Sequence, residues 1–291
     1  MSTIKVATDS HSGIVAKEAQ RIGIKVLPMP FYVEEECFYE EVSLTRKELF
    51  EHLNNGKKVS TSQPSPEVVM EFWREELKEC DELVYIPMSS GLSGSCNTAM
   101  MLAEEPEFEG RVFVVDNGRI ATPLHRSVLD ALELIEEGYD GEQIKDILER
   151  SRHEMSIYIA VEDLEYLKKG GRVTPATAAI GNLLNIKPVL KLDVGVLETF
   201  RKCRGMKKAK KEMLDAMKYD LETRFKEQDA CGQVYLMAAS SADDETTGEW
   251  VEEIKAFFPG REVLCDDLTM GIACHTGPGA LGIGCSCKPR R

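Results

Sequence analysis

The chain has 291 residues, long for a single domain, and its 43% hydrophobic and 30% charged content is that of a globular protein with ample core material. A net charge of -14 works against binding nucleic acid, or an anionic membrane surface, through a broadly basic face. The nine cysteines are scattered, and their closest pair, Cys285-x-Cys287, has no second pair at finger-like spacing, which fits buried thiols rather than a disulfide framework or a zinc site.

Ile4-Lys5-Val6-Ala7-Thr8 reads as a strand ending at Asp9-Ser10. A helix carrying Ile14, Val15, Ala19 and Ile22 on one face follows, then a strand-like stretch through Ile24, Val26, Leu27 and Met29. Val69, Phe72, Trp73, Leu77 and Cys80 recur at helical spacing, and Ser65-Pro66-Glu67 marks the helix start with a capping hydroxyl, a first-turn proline and an acid against the dipole. Leu83 to Ile86 and Val112 to Val115 read as buried strands, separated by the serine- and glycine-rich Ser89 to Ser95 and a small-residue helix. Helices are expected around 126–137 and 141–154. This alternation predicts a mainly parallel sheet covered on both faces.

The second half is patterned differently. Ile157 to Val161 is a strand, 174–184 is rich in small residues, and 189–197 reads as a hairpin turning at Asp193–Gly195. A basic amphipathic helix spans about Lys207 to Phe225, with Met213, Met217, Leu221 and Phe225 on one side. A strand Val234–Ala238, a helix over 244–258 and a strand Glu262–Leu264 follow, and the chain closes in glycine-rich His275 to Gly284. The fold class expected is α/β, with an N-terminal domain over 1–155 and a second α/β (α+β) domain over 156–291. No apolar run reaches bilayer length and no charged-then-apolar leader follows Met1, so a cytoplasmic location without stable membrane insertion is expected.

Three hydroxyl-rich turns, at Asp9-Ser10, Thr61 to Ser65 and Ser89 to Ser95, fall beyond strand ends or at helix starts, where open α/β sheets bind ligands. Hydroxyls and free backbone N–H groups there suit a carboxylate or a phosphate. The same residues also serve as ordinary caps, and Ser65 is one. His275 lies where glycines permit close backbone approach, and Arg172 and Arg204 offer paired donors, although a basic run such as 201–211 is ordinarily a solvated helix face. The chain has no Gly-x-Ser-x-Gly elbow, no phosphate-loop lysine, no Gly-x-Gly-x-x-Gly after its first strand and no His-Glu-x-x-His.

Thr8-Asp9-Ser10, Thr61-Ser62-Gln63-Pro64-Ser65, Ser89 to Ser95, Leu164 to Arg172, Ile186-Lys187-Pro188-Val189-Leu190, Arg204-Gly205 and His275 to Gly282 occur in one order. Together they resemble the DegV family of fatty-acid-binding proteins nearly end to end. The resemblance implies two α/β domains enclosing a tunnel for one long-chain fatty acid, with no other cofactor. It assigns the carboxylate to Thr61, Ser62, Ser93 and His275, and carboxylate or partner contacts to Arg172 and Arg204. It implies a binding subunit without catalysis of its own, which presents the carboxylate to an ATP-dependent fatty acid kinase for acyl-phosphate formation in phospholipid synthesis. The apolar stretch Ala176, Ala178, Ala179, Ile180, Leu183, Leu184 is a candidate tunnel wall, or plain core. A hydrolase or acyltransferase using Ser93 or Ser95 with His275 is the alternative, and a sensor of a phosphorylated metabolite is a third reading. The chain departs from the family at Ser10-His11-Ser12-Gly13 and again at 116–126, where Asp116-Asn117-Gly118-Arg119 and Thr122-Pro123-Leu124-His125-Arg126 replace an Asp-Ser pair and a small-residue helix.

Overall fold

The computed structural model describes residues 2–40, 42–178, 186–193 and 195–291. The first stretch forms β1 (Ile4–Asp9), α1 (Ala16–Ile22), β2 (Lys25–Leu27), β3 (Pro30–Val33), β4 (Glu36–Tyr39), α2 (Arg46–Asn54) and β5 (Val59–Thr61). Then come α3 (Pro66–Glu76), β6 (Glu82–Ile86), α4 (Ser95–Ala103), β7 (Val112–Val114), α5 (Thr122–Glu136) and α6 (Gly141–Arg150). After residue 154 the order is β8 (Met155–Ala160), α7 (Glu165–Gly170), α8 (Pro175–Ala178), β9 (Ile186–Asp193), β10 (Val196–Arg204), α9 (Met206–Glu222) and α10 (Lys226–Ala230). The last elements are β11 (Val234–Ser240), α11 (Asp244–Phe257), β12 (Val263–Asp267), α12 (Met270–Thr276) and β13 (Leu281–Cys287).

The four strands β2-β1-β6-β7 form a parallel sheet, as the strand–helix alternation predicts. Alternate side chains supply two cores: Val6, Val84 and Ile86 pack under α1, α5 and α6, while Ala7, Leu83 and Tyr85 pack under α3 and α4 around Trp73. Ser65 caps α3, its Oγ accepting from the Val68 N–H. Val15 differs from expectation. It sits one residue before α1 and is 47% exposed, because that helix is only seven residues long and starts at Ala16.

A six-stranded sheet follows the order β10-β9-β8-β13-β11-β12, antiparallel except for β11–β12. One face buries Tyr158, Leu236, Ile283 and Cys285 beneath α9 and α11, where Met213, Met217, Leu221, Phe225 and Trp250 close the core. The opposite face, which carries Ile157, Ile159 and Met237, turns toward a cavity. The glycine-rich tail, expected only as a closing segment, contributes the strand β13, paired on both sides. Three strands in the order β4-β3-β5 form a small sheet, and its Phe31 and Val33 pack with Leu49 of α2 and Met270 and Ala273 of α12.

Helix α5 touches both large sheets. Leu124, Val128, Ala131 and Leu134 join the parallel-sheet core. From the other side Thr122 donates to the Ala238 carbonyl at 2.8 Å, His125 Nδ1 lies 3.0 Å from Asp266, and the Arg126 guanidinium stacks 4.3 Å over the Tyr235 ring. Beside it Arg119, fully buried, donates to Ser127 at 2.9 Å and Ser151 at 3.2 Å and stands 3.8 Å from Asp130. Burial pushes the thiols of Cys96, Cys274 and Cys287 up to about 12, which keeps them protonated and unreactive.

Candidate functional site

A cavity of about 240 Å³ lies between the open face of the six-stranded sheet, α12, the start of α5 and the serine-rich turns. Thr61, Ser62, Ser93, Arg172 and His275 all line it, although they come from four separate segments of the chain. Arg204 does not. It ends β10, pairs with Ile186 and points to solvent.

The local reasons are specific. Thr61 is the last residue of β5, its strand position fixed by pairing with Phe31. His275 lies in the last turn of α12, which the small sheet anchors through Met270 and Ala273. These two elements bring Thr61 Oγ1 and His275 Nε2 to 2.9 Å. With the ring proton on Nε2, Thr61 accepts, and its own hydroxyl proton is left to donate to a carboxylate. Arg172 follows the left-handed Gly171 at the end of α7, and its guanidinium donates to the Gly170 carbonyl. Ser62 donates to the Gln63 carbonyl at 3.1 Å, and Ser93 to Ser95 Oγ at 2.9 Å.

Glycine at 170 is required by this arrangement. A Cβ there would sit 2.0 Å from His275 Nδ1. Likewise a Cβ at Gly271, one helical turn before His275, would come 2.7 Å from Nε2 of His11. The His11 side chain is buried, lines the cavity, and leaves Nδ1 without a hydrogen-bond partner. Nothing in the sequence reading assigned His11 a role. Its one signal was that it interrupts a turn otherwise made of small residues.

The remainder of the lining is apolar, with Met29, Met88, Leu92, Ile120, Ile272 and Leu268 among its members. Of the candidate tunnel wall, Ala176 is exposed and neither it nor Ala178 lines the cavity, while Ala179, Ile180, Leu183 and Leu184 lie outside the described residues. Among the described residues, strands β8, β9, β10 and β11 supply an apolar wall through Ile157, Leu192, Leu197 and Met237, and β13 adds the bare backbone of Gly282 and Gly284.

Burial, and then the nearby Arg172 charge, push the His275 imidazole down to about 4. The folded chain therefore keeps it neutral while the unfolded chain protonates it from 6.5 downward. Unfolded chains bind more protons across this window, so stability is fully present above pH 6.5 and falls as pH drops toward 4, by about 3 kcal/mol. Urea midpoints measured from pH 7 to pH 4 should fall more steeply for the unliganded wild type than for His275→Gln. Parallel curves would show that His275 does not titrate in this way.

The hydrolase reading needs a serine hydroxyl on an imidazole, yet His275 pairs with Thr61 and Ser93 pairs with Ser95. No helix among the described residues is long and apolar enough to cross a membrane.

A family model described as an uncharacterised protein of the DegV family matches residues 3–288. The solved structure of a DegV family protein from Thermus thermophilus, described by its fatty acid binding, is 34% identical with a TM-score of 0.87, covering 98% of this chain and 99% of that one. DegV from Bacillus subtilis, described as a fatty acid binding protein, is 30% identical with a TM-score of 0.81 over 99% and 100% of the two chains. A DegV domain-containing protein from Deinococcus radiodurans is 29% identical over 282 residues, 97% of each chain.

Proposed function

The chain belongs to the DegV family, and from that premise we propose that it holds one long-chain fatty acid in the cavity and presents the carboxylate to an ATP-dependent kinase subunit, which forms the acyl-phosphate for phospholipid synthesis. Thr61, Ser62, Ser93 and His275 meet the carboxylate and Arg172 supplies the nearby positive charge. Arg204, exposed at the end of β10, is assigned to the partner subunit. The protein does no chemistry of its own, carries no cofactor besides its lipid and works in the cytoplasm. Its ligand lies between residues 1–155 and 156–291, a division supported to within one residue by the sheets, which separate between residues 154 and 155.

The Thr61–His275 pair carries this reading, because it places a hydroxyl and a neutral imidazole at the polar end of an apolar enclosure. An ionised carboxylate is not buried without partners. Burying about fourteen methylenes at 0.8 kcal/mol each gives on the order of 11 kcal/mol. One charge-assisted hydrogen bond adds only about 1.5–3 kcal/mol. The apolar wall therefore sets affinity, and the polar end sets which atom faces the partner.

Native mass spectrometry before and after delipidation tests the proposal. The expected result is an added mass of one fatty acid per chain, with weaker retention in Thr61→Ala and Ser93→Ala. Wild-type protein without lipid from several expression hosts would overturn it.

A further inference from the structure

Strand β13 has glycine at 282 and at 284, two inward-facing positions in the middle of the six-stranded sheet. Glycine weakens a strand interior, so it needs a reason there. Conformation is not the reason, since neither residue has a positive φ. Crowding is a partial reason: the nearest atoms to a Cβ at Gly282 or Gly284 are cross-strand carbonyl oxygens at 3.3 Å, which would have to give by a few tenths of an ångström. Both residues also line the cavity, and the space their missing side chains leave borders it.

The register places these glycines along the cavity's length. His275 and Thr276 of α12 stand at the polar end, and the chain returns from there into β13 at Leu281. Gly282 comes first, opposite Ile159 and Ala239. Gly284 follows about 7 Å further on, opposite Ile157 and Met237, with Pro123 of α5 3.5 Å from its missing Cβ. The next inward position is Ser286, opposite Met155 and Tyr235, and none of these three lines the cavity. Over Tyr235 lies Arg126, hydrogen-bonded to Asp130, and Arg119 joins the same buried cluster. The lumen therefore stops where β13 passes beneath a filled polar block.

We infer that Gly284, with Ile157 and Met237 beside it, sets the length of acyl chain this protein accepts, and that the Arg119–Arg126–Asp130 cluster is the fixed wall behind it. The inference rests on the fatty-acid reading above and adds to it a residue that selects among fatty acids. The tail's last carbons lie on Gly284, and Gly282 lets the middle of the chain lie flat on the sheet. Protein interiors fill at near-crystalline density, so the three carbons added by Gly284→Val displace about three methylenes of ligand.

The test measures the acyl-length distribution of lipid carried by wild type, Gly284→Val and Met237→Ala, all purified from one host and read by native mass spectrometry. The expected result is a shift of two to four carbons, by the same volume argument (roughly one methylene per added carbon), toward shorter chains in Gly284→Val and toward longer chains in Met237→Ala. Gly284→Ala, which adds one carbon, should shift the distribution in the Gly284→Val direction by less and serves if the valine variant does not fold. Lipid retained with unchanged lengths in every folded variant would overturn the inference and leave the fatty-acid reading intact. Lipid-free wild type would overturn the reading itself.

Discussion

Asp130→Leu is expected to destabilise the fold by about 3–5 kcal/mol, the cost of leaving a buried charge without its partner. Arg119 is fully buried, its Nε has no hydrogen-bond partner, and Asp130 at 3.8 Å is the carboxylate that faces it. Burial pulls the Arg119 guanidinium down and pushes the Asp130 carboxyl up, so each resists being charged there and depends on the other. Arg126 would keep Glu133 after the change, whereas Arg119 would keep only the hydroxyls of Ser127 and Ser151. Denaturant midpoints at constant m-value give the measurement. Adding Arg119→Met to Asp130→Leu should recover most of the loss, because apolar groups of similar size often replace a buried ion pair at little cost. A double variant no more stable than Asp130→Leu would mean that the carboxylate holds the fold through something other than Arg119.

Gly170→Ala is the second large effect, and it falls on the ligand rather than on folding. Alanine is acceptable to the backbone at 170, where φ is not positive, but its Cβ would overlap His275 Nδ1. The imidazole has to turn away, and the Thr61–His275 bond goes with it. Losing a hydrogen bond to a charged head group costs about 1.5–3 kcal/mol, or roughly ten- to a hundredfold in affinity. Lipid occupancy after dilution, compared with wild type at matched thermal midpoint, reads this out. Full occupancy would show that His275 does not hold the ligand.

Much of the architecture was legible in the sequence because periodicity reports one-sided burial. The helix from Pro66 and the strands around Leu83 and Val112 show it, and so does the helix carrying Met213 and Met217. Strand β13 was not, since Leu-Gly-Ile-Gly-Cys-Ser-Cys has glycine where an apolar alternation would show. The small sheet over 30–61 also escaped, its strands being three or four residues long and its packing supplied by α12, more than two hundred residues later. At the site, Thr61, Ser93, Arg172 and His275 were legible through their motifs and do line one cavity. Arg204, equally marked by its motif, lies apart from them. The apolar wall was not legible, because it is assembled across five strands whose order only the fold decides.

The turn at Gly91 and the hairpin tip at Gly195 meet so closely that a Cβ on either would fall 2.6–2.7 Å from the other's Cα. Residues on both flanks, Leu92 and Ser93 on one side and Leu192 and Leu197 on the other, line the cavity. Glycine at both positions lets the serine-rich turn and the hairpin meet backbone to backbone, so a side chain at either would force apart two walls of the enclosure, the one that carries Ser93 and the one that carries Leu192 and Leu197.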